Sequence, residues 1–183
     1  MFTFLIGGAR SGKSALALQF ARAGTAPVTF IATAQARDTE MCDRISVHRS
    51  QRPPAWSTVE APLQLDQALR DEPDGTTVVI DCLTLWVANL VEAGYDDGAV
   101  ARAAEDVARR AGDRPGDIVV VSNEVGSGLV PMEALSRRYR DLLGRVNTTF
   151  CDHAGQALLV VAGRVVPLVP PPVVPAPSMS PVQ

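Results

Sequence analysis

Lysine is all but missing from this chain: of its 17 basic residues only Lys13 is a lysine, and the rest are arginine. Histidine is nearly as scarce. His48 and His153 are the only two and offer no metal-ligand spacing. The three cysteines, Cys42, Cys82 and Cys151, form no C-x-x-C pair, and their odd number and wide spacing argue against a disulfide framework. They read as reduced, mostly buried thiols of a cytoplasmic protein. Aromatic residues make up 5% of the chain and do not alternate with basic ones; with a net charge of −3, this excludes a protein that coats nucleic acid. No apolar run approaches the ~20 residues of a membrane span, and no signal-peptide pattern opens the chain, so no membrane insertion is expected.

What is present is a core-forming composition, 46% apolar in 183 residues, enough for one domain. Strand-like runs recur at 2–6, 28–33, 76–82, 118–122 and 157–162. Helical patterns lie between them at 13–23, 39–50, 63–70, 83–93, 100–111 and 132–152. This alternation predicts an α/β fold, a mostly parallel sheet with helices on both faces. Gly163 is placed to turn the last strand into an antiparallel hairpin arm, Arg164–Leu168. The catalytic domain is therefore expected over 1–168. A proline-rich tail, 169–183, is expected to be disordered or an extended appendage, because proline suits neither helices nor central strands.

The lone lysine sits in Gly7-Gly8-Ala9-Arg10-Ser11-Gly12-Lys13-Ser14, which matches G-x-x-x-x-G-K-[ST] at every fixed position. The apolar run Phe2–Ile6 precedes it and a helical pattern follows. A strand feeding such a turn aims successive backbone N–H groups at one concavity, which the helix dipole makes favourable for phosphate. Lys13 then reaches the β- and γ-phosphates, and the Ser14 hydroxyl can ligate Mg2+. The chain reads as a P-loop nucleotide-binding protein with a RecA-like sheet.

Three further segments carry chemistry. The strand 76–80 ends in Asp81, where P-loop proteins hold Mg2+ or its water shell. Asp38 or Thr39 can cap a helix that puts Met41, Ile45 and His48 on one face, with Arg44, Arg49 and Arg52 around the histidine and Pro53-Pro54 as the stop. The residues alone leave His48 between an ordinary surface or core histidine and a nucleophile whose flanking arginines hold phosphate oxygens. Ser122-Asn123-Glu124-Val125-Gly126-Ser127-Gly128 follows another apolar strand, and in an open parallel sheet such a segment converges on the ligand rim. The arginines at 137, 138 and 140 suit either local phosphate chemistry or a helix surface, and His153 reads as structural.

In this order, the segments Gly7–Ser14, Ile31–Ala34, Arg44 to Trp56, Asp81 to Leu90, Ser122 to Pro131 and Arg138 to Asn147 resemble the bifunctional adenosylcobinamide kinase/adenosylcobinamide-phosphate guanylyltransferase family of cobalamin assembly. The resemblance implies two reactions. A nucleoside triphosphate, ATP or GTP, phosphorylates adenosylcobinamide, and GTP guanylylates His48, which passes GMP to adenosylcobinamide phosphate. It implies His48 and Lys13 as the catalytic residues. It also implies a guanine-nucleotide site lined by Ala32, Thr33 and Ala34, by Arg49, Ser50, Gln51 and Arg52, and by Glu60 and Asp81, beside the loop Gly7, Gly8, Ala9, Arg10, Ser11, Gly12, Lys13 and Ser14. Mg2+ would fall to Ser14 and Asp81. A homotrimer is expected on the same ground. Thr148 stands where the family more often has glutamine.

Rival readings make different demands. A GTPase switch needs an Asn-Lys-x-Asp motif that a single lysine in the P-loop cannot supply. A RecA-like ATPase or nucleotide-gated binding module would share Lys13 and Asp81 but form no covalent adduct. A simple small-molecule kinase would leave His48 idle.

Overall fold

A computed structural model describes residues 1–172; residues 173–183, the greater part of the expected tail, lie outside the described residues. In chain order the elements are β1 (Phe2–Gly7), α1 (Lys13–Arg22), β2 (Val28–Ala32), α2 (Thr39–Ser50), β3 (Ser57–Glu60), α3 (Leu65–Arg70), β4 (Thr77–Asp81), α4 (Leu83–Glu92), α5 (Asp97–Asp113), β5 (Ile118–Asn123), α6 (Ala134–His153), β6 (Gln156–Val161) and β7 (Arg164–Leu168). One sheet takes them in the order β3-β2-β4-β5-β1-β6-β7. All pairings are parallel except the last, where β7 folds back antiparallel on β6.

Parallel strands covered on both faces need apolar residues at successive positions. Phe2–Leu5, Val28–Ile31, Val78–Ile80 and Ile118–Val121 supply them and are buried throughout. Alternation then sorts the side chains to two faces. One face carries Phe4, Ile31, Val78, Ile80, Ile118 and Val120 against α3, α4, α5 and α6. The other carries Leu5, Phe30, Val79, Val119 and Val121 against α1. The first core is the larger and includes the fully enclosed Trp86, whose indole N–H donates to Leu63 O at 3.0 Å.

Two elements depart from expectation. β3 is a short parallel edge strand in a stretch that reads as a connector, since Val59 is its only apolar residue. The helix expected from Leu63 begins at Leu65, after the chain has left β3. The hairpin arm forms over the expected residues, and Pro167 is tolerated in it because β7 is an edge strand. Among the thiols only Cys82 is buried; Cys42 is exposed on α2 and Cys151 is intermediate, because α2 turns most of its surface to solvent.

Candidate functional site

The phosphate-binding loop runs from the end of β1 into α1, and its backbone could be built from few other residues. A Cβ at Gly7 would lie 2.2 Å from the Val160 carbonyl oxygen of β6, so the loop leaves the sheet through a gap only glycine fits. Gly12, at φ 103°, forms the left-handed entry to α1. The turn of the C-terminal hairpin braces the loop from outside, with Gly163 N donating to Ser11 O at 2.9 Å. Lys13 is buried, and its ammonium donates to Gly7 O at 2.9 Å, Gly8 O at 2.6 Å and Ser11 Oγ at 3.2 Å. Burial lowers its pKa from the usual lysine range, while Cys82 and Asp81 act in the opposite direction. Gly8, Ala9 and Arg10 form the exposed crown of the loop.

Register explains why distant residues meet on this rim. Ala32 at the end of β2 pairs with Asp81 at the end of β4 and with Glu60 at the end of β3. All three share strand parity with residues packed on the α1 face, such as Phe30 and Val79, so they emerge on the side where the phosphate loop opens. Asp81 keeps slight solvent access but is surrounded by protein, and this desolvation raises its pKa. The Ser14 hydroxyl, His48, Arg52 and Lys13 all favour its ionised form. The Asp81–Cys82 peptide is cis. Thr33 clamps the next residue: its hydroxyl donates to Cys82 O at 2.7 Å and accepts from Cys82 N at 2.9 Å.

α2 brings His48 to the same place. Asp38 caps it, accepting from Met41 N at 2.7 Å, and Met41, Ile45 and His48 are its half-buried face. Arg44 and Arg49 are exposed. Arg52 instead lies flat over Phe30, its guanidinium carbon 3.4 Å from the ring centroid, and donates to Thr58 Oγ1 at 3.3 Å. Its Nε is buried and, among the described residues, has no hydrogen-bond partner. Arg49, Arg52, Pro53, Pro54, Trp56 and Thr58 line a cavity of about 240 Å³ here. Thr58 carries no motif signal; the pairing of β3 with β2 sets it opposite Phe30, beside Arg52, while Trp56 belongs to the segment that carries the family resemblance. Ser50 turns away, donating to Val47 O at 2.8 Å, and Gln51 offers its carbonyl to Arg22 at 2.8 Å. Ala34 is half-buried after β2, and Glu60 is exposed at the sheet edge.

The segment after β5 also reaches the rim, with Glu124 N donating to Gly7 O at 3.0 Å. The second arginine group does not. Arg138 pairs with Asp97 at 2.7 Å and donates to Tyr95 O, Arg137 donates to Pro131 O and Met132 O, and Arg140 pairs with Asp141. Arg137 and Arg138 tie α6 to the loops before it and before α5, and Arg140 pairs within α6. His153 meets Glu105 at 2.9 Å, in keeping with a structural role.

Among the described residues no three His, Cys, Asp or Glu side chains cluster as a metal site. Mg2+ needs less from a protein in nucleotide sites: one carboxylate, a hydroxyl, water and the nucleotide's own phosphates. Asp81 beside Ser14 is that donor set, and both are oxygen ligands suited to a hard cation.

Comparison with known proteins places this rim. The chain matches the model of the cobinamide kinase / cobinamide phosphate guanyltransferase family over residues 3–168. It belongs to that family. The bifunctional adenosylcobalamin biosynthesis protein CobP of Pseudomonas aeruginosa is 43% identical over 169 residues, 92% of this chain and 97% of that one. Its counterpart CobU of Salmonella typhimurium is 39% identical over 178 residues, 89% of this chain and 97% of that one. In fold this chain resembles solved ATPase structures. A prototypical ATPase from the type III secretion system of pathogenic bacteria is one, with a TM-score of 0.51, 13% identity and 86% of this chain covered. The chain spans 50% of that ATPase, and the likeness is one of fold. No helix among the described residues is long and apolar enough to cross a membrane.

Proposed function

We propose that the protein phosphorylates the aminopropanol hydroxyl of adenosylcobinamide with a nucleoside triphosphate and transfers GMP from GTP to the resulting phosphate, giving adenosylcobinamide-GDP. The reading is supported by the placing of Asp81 at the end of β4, in register with Ala32 beside the phosphate loop, where Ser14, His48, Arg52 and Lys13 all favour its ionised form. A kinase alone has no need of a histidine there.

In the kinase step the substrate hydroxyl oxygen bonds to the γ-phosphorus as the bond to the β,γ-bridging oxygen breaks, the nucleoside diphosphate leaves, and the hydroxyl proton is released to solvent. Lys13 and the loop N–H groups hold the migrating charge, which is the main service a protein offers to phosphoryl transfer. In the second reaction a ring nitrogen of His48 gives its lone pair to the α-phosphorus of GTP, and pyrophosphate departs. A phosphate oxygen of adenosylcobinamide phosphate then bonds to the same phosphorus, the P–N bond breaks, and His48 regains its lone pair. One difficult displacement becomes two. Arg52, and the exposed Arg49 beside it, are assigned to phosphate oxygens. Ala32, Thr33, Ala34, Ser50, Gln51 and Glu60 are assigned to the surround of the guanine nucleotide. Ser14 and Asp81 are assigned to Mg2+, which when bound neutralises phosphate charge.

The same reading includes a homotrimer in the cytoplasm. Exposed apolar side chains such as Leu129 and Met132, at 96% and 93% exposure, offer surface for contacts between copies. Light scattering that returns a monomer would remove that part.

Intact mass after incubation with GTP and Mg2+ tests the core of the proposal. Wild type gains the mass of GMP as an acid-labile, base-stable adduct, and His48→Ala gains none while keeping much of the kinase activity. GTP binding without any adduct in wild type would leave a kinase or a nucleotide-gated module.

A further inference from the structure

Several segments of the rim share one buried anchor, which the chemistry above does not use. α4 is apolar along most of its length, yet Asn89 lies within it at 6% exposure. A buried amide destabilises the fold unless its hydrogen bonds are made, and here they are. Its Nδ2 donates to Thr33 O at 2.8 Å and to Pro62 O at 3.0 Å. Its Oδ1 accepts from Arg37 Nη2 at 2.9 Å. Trp86, three residues earlier and on the same helix face, grips the neighbouring Leu63 carbonyl.

Each partner of Asn89 belongs to a segment that builds the rim. Thr33 follows β2 directly and clamps Cys82, the neighbour of Asp81, through its hydroxyl. Pro62 leaves β3 two residues after Glu60, and Ala61 N between them donates to Ala32 O at 2.8 Å. Arg37 immediately precedes Asp38, the cap of α2, and also bonds to Glu92 on α4. One amide thus holds the exit of β2, the exit of β3 and the root of the helix that carries His48. The phosphate loop has other supports: β6, the hairpin turn and the buried face of α1.

We infer that Asn89 is a positioning residue for guanylyl transfer, setting the helix of His48 against the segments around the guanine nucleotide; this rests on the guanylyl-transfer reading above. Asn89 touches no reacting atom. It acts through Arg37 on one side and through the Thr33 and Pro62 carbonyls on the other. In-line attack on phosphorus tolerates little displacement, and a misplacement of about 1 Å can slow a reaction about 100-fold.

The test measures three quantities: the single-turnover rate of the His48–GMP adduct at saturating GTP, the affinity for GTP, and kinase turnover. The proteins are wild type, Asn89→Ala, Asn89→Asp and the double variant Asn89→Ala with Arg37→Ala, each read per folded molecule below its melting temperature. Asn89→Ala should slow adduct formation by roughly tenfold to 100-fold, while GTP affinity and kinase turnover fall by less than about threefold. Asn89→Asp keeps the shape and still accepts from Arg37 but turns an oxygen to both carbonyls. It should slow adduct formation as well, and it decides the matter if Asn89→Ala does not fold. Adding Arg37→Ala to Asn89→Ala should slow the adduct by less than about twofold more, because the arm it removes runs through the missing amide. A wild-type adduct rate in the folded Asn89 variants would overturn the inference. So would losses of equal size in all three quantities, which is what a purely structural anchor predicts. Wild type that forms no adduct would remove the guanylyl-transfer reading and this inference with it, whereas wild type and Asn89→Ala reacting equally fast would remove this inference alone.

Discussion

The helix that begins at the phosphate loop and the helix that carries His48 stand on the same rim but are attached to the molecule in different ways. α1 buries Lys13, Ala17, Leu18 and Ala21, and the loop before it is wedged between β6 and the hairpin turn. α2 buries none of its twelve residues. It is seated by polar contacts at its ends: Arg37 bonds to Glu92, to Gln35 and, at 2.9 Å, to Asn89, while Arg22 holds the Gln51 carbonyl. An anion site made of backbone N–H groups works only if the backbone is immobile, and the core supplies that. On the proposed reading His48 would meet an incoming phosphate and then a second acceptor, and such a residue needs reach more than burial. Damage to the phosphate loop should therefore cost both reactions, and damage to the seat of α2 only the guanylyl transfer.

Lys13→Ala breaks the comparison at its stronger end. Removing the one buried ammonium takes away a donor to the transferring phosphate, and both reactions should fall by about 100-fold or more. Steady-state assays of each reaction check this, and a variant with full activity in either would undo the assignment of the loop.

Asp81→Asn sharpens the comparison by linking the halves, since Asp81 faces both Lys13 and His48. Burial raises its pKa, so the folded state holds the proton more tightly than the unfolded chain. The stability this represents is present at low pH and is lost as pH rises through the folded value. The protein without nucleotide should therefore melt higher as Asp81→Asn than as wild type at pH 8, and the gap should narrow in acid. Melting curves across pH decide it; a gap that widens in acid would show that the cations around Asp81 outweigh its desolvation.

Arg37→Ala probes the weaker end and should have the smallest effect. Its contacts are largely exposed and worth about 0.5–1 kcal/mol together. Guanylylation of His48 should slow a few-fold, read by the rate of adduct formation, while GTP affinity stays as in wild type. Equal losses in both would mean that α2 and the phosphate loop share one support.

What could be read in the residues follows the same division. The phosphate loop was legible because its function lies in local backbone geometry, which glycine spacing encodes directly. The bounds of α2 were legible because Asp38 caps it and Pro53-Pro54 stop the chain beyond it. β3 was not: four residues with one apolar side chain become a strand only because β2 offers an edge. Asn89 reads as a polar intruder in an apolar helix, yet its amide joins the Thr33 and Pro62 carbonyls at 2.8 and 3.0 Å and so ties two strand-exit loops together. Neither local pattern nor composition signals such a node.

By itself the sequence determined the P-loop, the parallel α/β class, the helix that bears His48 and the resemblance on which the two reactions were expected. These depend on torsional preference, periodicity and spacing, all properties of neighbours along the chain. Tertiary structure decided which carboxylate faces the histidine, where Arg52 stacks, and that the hairpin turn braces the phosphate loop. It also decided that Asn123 emerges between β1 and β4, its side-chain amide bonded to none of the described residues. Those facts depend on strand order and on a register that must match over five parallel pairings, where a shift of one residue would turn Asp81 and Asn123 to the other face of the sheet.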